Sequence, residues 1–331
     1  MLRIIITLET KSKQPGAAFR TTVLANPFVS FMTAASYRRI HCMQADGQFC
    51  THEIRLYNAA HSGTFPIDME AIAMTETASY EERARAIFAD RADLYTTSAA
   101  HTDEQVLGRL IEIANPQPNW RVLDIGTGTG HTALALAPHV REVVGLDLTE
   151  EMLIEARKLA GERRITNVTF QVADVHHLPN ELEDSFDLVT CRRAAHHFSD
   201  IHRALSEMVR TLRSGGMLLI DDRSVPEDDW IDDTMHRLDC LHDESHVRQY
   251  RASCWIELLE NAALTVEIVE PYTKQRPLSS LTARVSADHV AEIHTILDHL
   301  SAQQKEQLGV ENIDGERRST HWYLMISARK A

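Results

Sequence analysis

The sequence lacks any apolar run approaching the roughly 18 to 20 residues that cross a bilayer, which argues against an integral membrane protein. Its opening, MLRIIITLET, breaks off too early for a secretory signal core followed by a small-residue cleavage site, so secretion is not expected. Cysteine is scarce. Cys42, Cys50, Cys191, Cys240 and Cys254 are odd in number and form no C-x-x-C pair, which excludes a disulfide framework and fits a reducing compartment, the cytoplasm. Positive charge is also short: 34 Lys and Arg against 48 Asp and Glu leave a net charge of −14. Nucleic-acid affinity comes mainly from clustered basic residues, so a small-molecule partner is favoured over nucleic acid. Neither internal repeats nor low-complexity tracts occur, and a homodimer is left open as the assembly.

What remains is 331 residues, 44% of them hydrophobic, enough to bury the core of one large α/β domain with additions. The charge is unevenly spread. Residues 1 to 66 carry 7 Lys and Arg against 3 Asp and Glu, net +4, and the remainder is at −18. This first stretch shows no sustained period of 2 or 3.6 and is punctuated by KQPG, ANP, ADG and HSGTFP. Residues 1–68 therefore read as an extension, disordered or targeting, with a basic, acid-poor composition that would suit a mitochondrial transit peptide as the alternative to a cytoplasmic location. His41, Cys42, Cys50 and His52 lie close in sequence, but their spacing matches no paired-ligand pattern for zinc, and no metal is assigned.

From residue 69 onward the pattern changes. ASYEERARAIFADRADLY places Tyr80, Ala84, Ile87, Phe88 and Leu94 on or near one helical face, and TDEQVLGRLIEIA does the same with Val106, Leu110 and Ile113. After NPQPNW, short apolar strands alternate with helical stretches: RVLDI, EVVGLDL, VTFQVAD, FDLVTC and GMLLID. Alternation at this spacing predicts a parallel sheet with helices on both faces. Helices are expected near 228–241, 252–262 and 286–308, and LTVEIVEPY and STHWYLMISARK as a closing antiparallel pair.

Between the first of these strands and its helix stands D-x-G-x-G-x-G, Asp124 to Gly130, with Gly126, Gly128 and Gly130 at alternate positions. A dinucleotide fingerprint counted from Gly126 needs glycine at 131, where this chain has His131. Glycines here let the main chain lie against a ligand, and the amides opening the next helix favour a carboxylate. The next strand ends at Asp147, which is read either as an acceptor for both ribose hydroxyls or as a helix-opening acid before Thr149.

This motif resembles the first motif of class I S-adenosylmethionine-dependent methyltransferases. The resemblance continues through Asp174 and Val175 in VADVHHLP and through LRSGGMLLIDD, where Ser214 replaces the usual proline. Through TCRRAAHHFSD it is strongest to small-molecule (type 11) methyltransferases related to the ubiquinone and menaquinone C-methyltransferases. A bacterial subset shares DESHVRQYRASCWIELLENAAL and the terminal SARK, and starts near Met74. The resemblance implies a Rossmann-like seven-stranded sheet with an antiparallel last strand, amino-terminal lid helices and a helical insertion near the carboxyl end, over residues 69–331. It implies S-adenosylmethionine as cofactor, bound by Tyr95, Asp124, Gly126, Gly128, Gly130, Asp147, Leu148, Asp174, Val175 and Cys191. Asp174 would sit beside the adenine amino group, and Tyr95 would close over the methionine end.

Methyl transfer from a sulfonium needs a base only when the nucleophile must lose a proton. His196 and His197, where the resemblance places the methyl group, are the candidates, with His197 favoured. His246, Arg248 and Tyr250 fall in the segment expected to cover the substrate. Asp221 and Asp222 are adjacent on a strand and point to opposite faces, which disfavours a metal site of the catechol-methylating type. His236, His242 and His246 with Asp239 and Cys240 meet no metal spacing and read as a polar helix face. The alternatives to methyl transfer are an NAD-dependent oxidoreductase and a non-catalytic S-adenosylmethionine-binding protein. Deleting residues 1–68 is expected to leave S-adenosylmethionine affinity and thermal stability nearly unchanged. A titration and a melting curve of the truncated chain check this, and loss of cooperative unfolding would contradict it.

Overall fold

The computed structural model describes residues 80–98 and 101–331, apart from the side chains at 93, 94 and 97, together with the backbone of four strands nearer the amino end. The side chains of Leu94, His41, Cys42, Cys50 and His52, and the start at Met74, lie outside the described residues. The chain divides into two units, 1–72 and 73–331. In the first unit, β1 (Ile5–Lys11) pairs antiparallel with β2 (Ala18–Leu24), and β3 (Ser36–Met43) with β4 (Phe49–Leu56). Periodicity alone did not mark these strands. Their β-branched and aromatic residues favour extended backbone even without strict alternation.

The second unit begins with α1 (Tyr80–Thr97) and α2 (Glu104–Ala114). The Asp103 carboxylate accepts from the amides of Gln105 and Val106 and so starts α2, and Asn115 ends it in a left-handed conformation. Five parallel strands follow, β5 (Arg121–Ile125), β6 (Glu142–Asp147), β7 (Val168–Val172), β8 (Phe186–Arg192) and β9 (Leu212–Ser224). Between them lie α3 (His131–Leu136), α4 (Glu150–Glu162) and α5 (Ile201–Thr211). After β9 come α6 (Asp229–His242), α7 (Ala252–Asn261) and β10 (Leu264–Pro277). The helical insertion is α8 (Leu278–Thr282), α9 (Ala287–Asp298) and α10 (Ala302–Gln307), and β11 (Glu311–Ile313) with β12 (Glu316–Lys330) close the chain.

The seven-strand path runs β10-β12-β9-β8-β5-β6-β7, with β12 antiparallel to both its neighbours. This is the expected class I methyltransferase sheet. The short β11 adds an eighth strand as a hairpin on β12.

Alternate residues of the central strands feed two cores. Leu123, Val189, Leu218 and Leu324 go to one face, and Val122, Leu188, Leu219 and Met325 to the other. A strand buried on both faces shows no polar alternation, and FDLVTC is mainly apolar, its buried Asp187 and Thr190 being hydrogen-bonded. A third cluster joins α6 to the insertion through Met235, Leu238, Leu281 and Ile293.

From β5 the chain winds outward through β6 and β7, then returns to the other side of β5 as β8. The strand order reverses there, and open α/β sheets bind ligands at the carboxyl ends of the strands flanking such a reversal. The turn after β5 and the turn after β8 come together at that point. Gly126 has φ +61, and a Cβ on it would stand 2.4 Å from the Ala194 Cβ. Gly126→Ala is expected to destabilise the fold by at least about 1–2 kcal/mol, the cost of a left-handed L-residue, with the clash in addition. Urea denaturation measures this, and wild-type stability would mean that the β8 turn yields.

Candidate active site

The glycine turn is organised from below by Asp124. Its buried carboxylate accepts the Thr127 hydroxyl at 2.6 Å and the Thr190 hydroxyl at 2.7 Å, tying β5 to β8. Burial pushes its pKa up against the pull of those bonds. Asp124 does not line the cleft above it. Gly128, with φ +54, has no atom within 4 Å of where a Cβ would lie, because it borders open space. Gly130 caps α3 and packs over Phe170 and Ala156 instead. The open space is a cleft of about 1030 Å³ bounded by this turn, α1 and the exits of β6, β7 and β8.

Asp147 takes the helix-opening role and also faces the cleft. One oxygen accepts the Gly128 amide at 2.8 Å and the other the Thr149 amide at 2.9 Å, and the side chain still lines the cleft. Leu148 and Val175 line it as well. The Leu148 carbonyl accepts Arg85 Nε of α1 at 3.1 Å. Asp174 lies on the wall opposite the glycines. Burial raises its pKa, but the amide and ring Nδ1 of His176, at 2.9 and 2.7 Å, outweigh that and hold it low.

Tyr95 borders the cleft edge-on to Phe88 and His101, with ring centroids 6.3 and 4.8 Å away, and burial pushes its hydroxyl up to about 12. Cys191 is placed differently: it is fully buried in the sheet core and does not reach the cleft.

The exit of β8 forms the short turn Ala195–His197. The His196 amide donates to Asp222 at 2.9 Å and its ring Nδ1 lies 2.5 Å from the other oxygen of that carboxylate. Burial, then His197 and His246, hold its pKa well below the ordinary histidine value. The His196 carbonyl accepts the amides of Val247 and Arg248 at 2.8 and 3.1 Å. His197 Nδ1 lies 2.9 Å from the Ser245 carbonyl, which only accepts, so Nδ1 carries the hydrogen and Nε2 of the neutral ring holds the lone pair. Asp221 bonds Arg193 and Tyr272 while Asp222 bonds His196, so the adjacent acids do serve opposite faces.

A second cavity of about 990 Å³ adjoins the cleft, and Tyr95, His101, Arg193 and His197 line both. His196 lines only the second. His246 is there too, its Nε2 2.7 Å from Gln249 Oε1 and its pKa lowered to about 4, chiefly by burial. Arg248 and Tyr250 line neither cavity. Arg248 pairs with Asp232 at 2.7 Å, and Tyr250 packs on Trp255 with centroids 5.3 Å apart. The five residues read as a polar helix face part company, and His246 lies beyond the end of α6: Asp239 binds Arg223 and His242 the Leu281 carbonyl. His236, Cys240 and His246 bring one donor atom each within 4.8 Å of the others.

A family model for a methyltransferase domain matches residues 116–276. Over 221 residues the chain is 37% identical to the uncharacterized methyltransferase YcgJ of Bacillus subtilis, covering 66% of this chain and 87% of that one. The chain belongs to this methyltransferase family. The solved structure of YcgJ superposes with a TM-score of 0.64 at 35% identity, over 68% of this chain and 97% of that one. A putative methyltransferase from Bacillus halodurans C-125 gives 0.65 at 31% identity, over 68% and 98%. A demethylmenaquinone methyltransferase of Deinococcus radiodurans is 42% identical over 103 residues, covering 30% of this chain and 42% of that one. The protein is a class I S-adenosylmethionine-dependent methyltransferase, and the oxidoreductase and non-catalytic alternatives find no support.

The cleft of this methyltransferase suits its cofactor. Gly128 leaves room for a ligand, Asp147 and Asp174 put carboxylates on the wall, and buried Arg192 keeps Nη1 without a partner among the described residues. Arg192 was missed by sequence reasoning. Its other nitrogens hold the Thr132 hydroxyl and the His101 carbonyl, each at 2.8 Å. The available signal was two arginines leaving an otherwise apolar strand, since a charge buried at a strand end needs a purpose. His101 and Phe88 carried no signal of their own. Asp147→Ala is expected to weaken S-adenosylmethionine binding about 10- to 100-fold, as loss of hydrogen bonds to a charged acceptor does. Calorimetric titration reads this, and unchanged affinity would confine Asp147 to holding Gly128 and Thr149.

Proposed function

We propose that this methyltransferase acts on a small molecule seated in the second cavity, with His197 as the base that prepares the nucleophile. The observation that carries the reading is the position of His197 on the walls of both cavities, with its Nδ1 committed to the Ser245 carbonyl. A lone pair at Nε2 is then available to a hydroxyl, amine or activated carbon between the two spaces. Bound S-adenosylmethionine supplies the electrophilic methyl group, and the protein's task is positioning, exclusion of water and removal of a proton.

His196 acts through its neighbours. Its bonds to Asp222 and to the amides of 247 and 248 fix the turn that presents His197 and the segment holding Ser245. Phe88 meets the His197 ring edge-on, centroids 4.9 Å apart, and closes that side. Asp147, Asp174, Leu148, Val175 and Tyr95 form the cofactor side, and His246 belongs to the acceptor side. The net charge of −14 and the few cysteines support a small-molecule acceptor and a cytoplasmic location. Among the described residues no helix is long and apolar enough to cross a membrane.

His197→Ala is expected to lower turnover about 10²- to 10⁴-fold on a true acceptor while S-adenosylmethionine affinity stays near wild type. His196→Ala is expected to cost folding stability first. Release of S-adenosylhomocysteine across a metabolite panel provides the assay. Full turnover by both variants would remove the base and leave an enzyme that works by positioning alone, on a neutral amine or an acidic carbon.

A further inference from the structure

The second cavity is far richer in fixed positive charge than the chain as a whole. Five guanidinium groups line it, Arg91, Arg193, Arg223, Arg276 and Arg284, against the two carboxylates of Asp239 and Asp243. Most of the arginines are accounted for. Arg223 Nη2 donates to both Asp239 carboxylate oxygens at 2.7 and 2.5 Å, Arg91 lies 3.4 Å from Asp243, and Arg193 bonds Asp221 and the Tyr272 hydroxyl. Arg284 reaches the Asp90 carbonyl at 2.9 Å.

Arg276 is different. It stands near the end of β10, half-buried on the cavity wall, and has no hydrogen bond or ion pair among the described residues. A guanidinium on a cavity wall with no protein partner among the described residues is available to a ligand, and its planar fork suits an oxyanion. The histidines around it do not add charge. His101 and His242 are held below the ordinary histidine value, by burial first and with Arg276 contributing, so the positive field of the cavity comes from the arginines.

We infer that the methyl acceptor carries a carboxylate or phosphate, and that Arg276 takes this oxyanion in the second cavity while the reacting atom reaches past His197 toward the cofactor cleft. The inference rests on the reading that the second cavity holds the acceptor. A cavity in which guanidinium groups outnumber carboxylates concentrates anions from solution. The anion would neutralise a cavity guanidinium that has no ion-pair partner among the described residues.

The test titrates the full chain, saturated with S-adenosylhomocysteine, with phenyl phosphate, benzoate and phenol. Phenyl phosphate or benzoate is expected to bind at least tenfold more tightly than phenol, and the stronger of the two tells phosphate from carboxylate. Arg276→Gln should weaken the anion about 10- to 100-fold, as loss of a charge-assisted pair does, and Arg276→Lys should restore part of it. S-adenosylhomocysteine affinity, unchanged in both variants, shows that they are folded. Equal binding of phenol and the anions, or anion affinity untouched by Arg276→Gln, would overturn the inference. These outcomes are separate from those for His197: anion binding lost in Arg276→Gln alongside full turnover in His197→Ala keeps the oxyanion site and removes the base, and the reverse pattern does the opposite.

Discussion

The site depends on how closely the turn after β5 lies against the turn after β8. Only a residue without a side chain fits at Gly126, because a Cβ there would stand 2.4 Å from that of Ala194. This contact brings the glycine turn, which faces the cofactor, beside the segment that carries Arg192, Arg193, His196 and His197. Asp124 enforces it from within the sheet, since its buried carboxylate accepts hydroxyls from Thr127 on one turn and Thr190 on the neighbouring strand. The exit of β8 is therefore registered to the glycine turn by backbone contact and not by long side chains, which would lose more entropy in being held.

Above these turns α1 forms the cover, and polar links hold it. Arg85 reaches the Leu148 carbonyl at the β6 exit, Arg91 approaches Asp243, and the Tyr80 hydroxyl donates to the Ser245 carbonyl. That carbonyl also receives His197 Nδ1. One backbone oxygen thus connects the cover to the orientation of the ring between the two cavities, so a displacement of α1 and a displacement of His197 are not independent.

Charge inside the second cavity follows a consistent physical pattern. Histidines packed among arginines lose protons more readily, because burial and like charge both disfavour the imidazolium. His196, His242 and His246 are accordingly all lowered. Positive charge is left to guanidinium groups, which do not titrate in the working range. On the proposed reading, these groups would hold an anion while an imidazole accepts a proton, without one function cancelling the other.

Much of this was legible in the chain itself. The order of strands and helices from 121 onward followed from apolar runs bounded by turn residues, and the glycine spacing excluded a dinucleotide fingerprint because His131 occupies the position where the third glycine belongs. Asp147, Leu148, Asp174 and Val175, which the resemblance placed at strand ends, line the cleft. Cys191 was misplaced: a residue at a strand end faces either the cleft or the core, and one step of pleat decides between them. Arg248 and Tyr250 share a segment with His246 yet turn to Asp232 and Trp255, a matter of local backbone path that composition does not encode. The strand pairs Ile5–Lys11 with Ala18–Leu24 and Ser36–Met43 with Phe49–Leu56 were invisible to periodicity. The sequence by itself determined the fold class, the cofactor and the strand ends that meet it, since these depend on patterns within a few residues. Only the tertiary structure decided that His197 stands between two cavities and that Arg276, some eighty residues away, faces the second without an ion-pair partner among the described residues. Such pairings arise from which side of the sheet each strand lies on, and no local pattern carries that information.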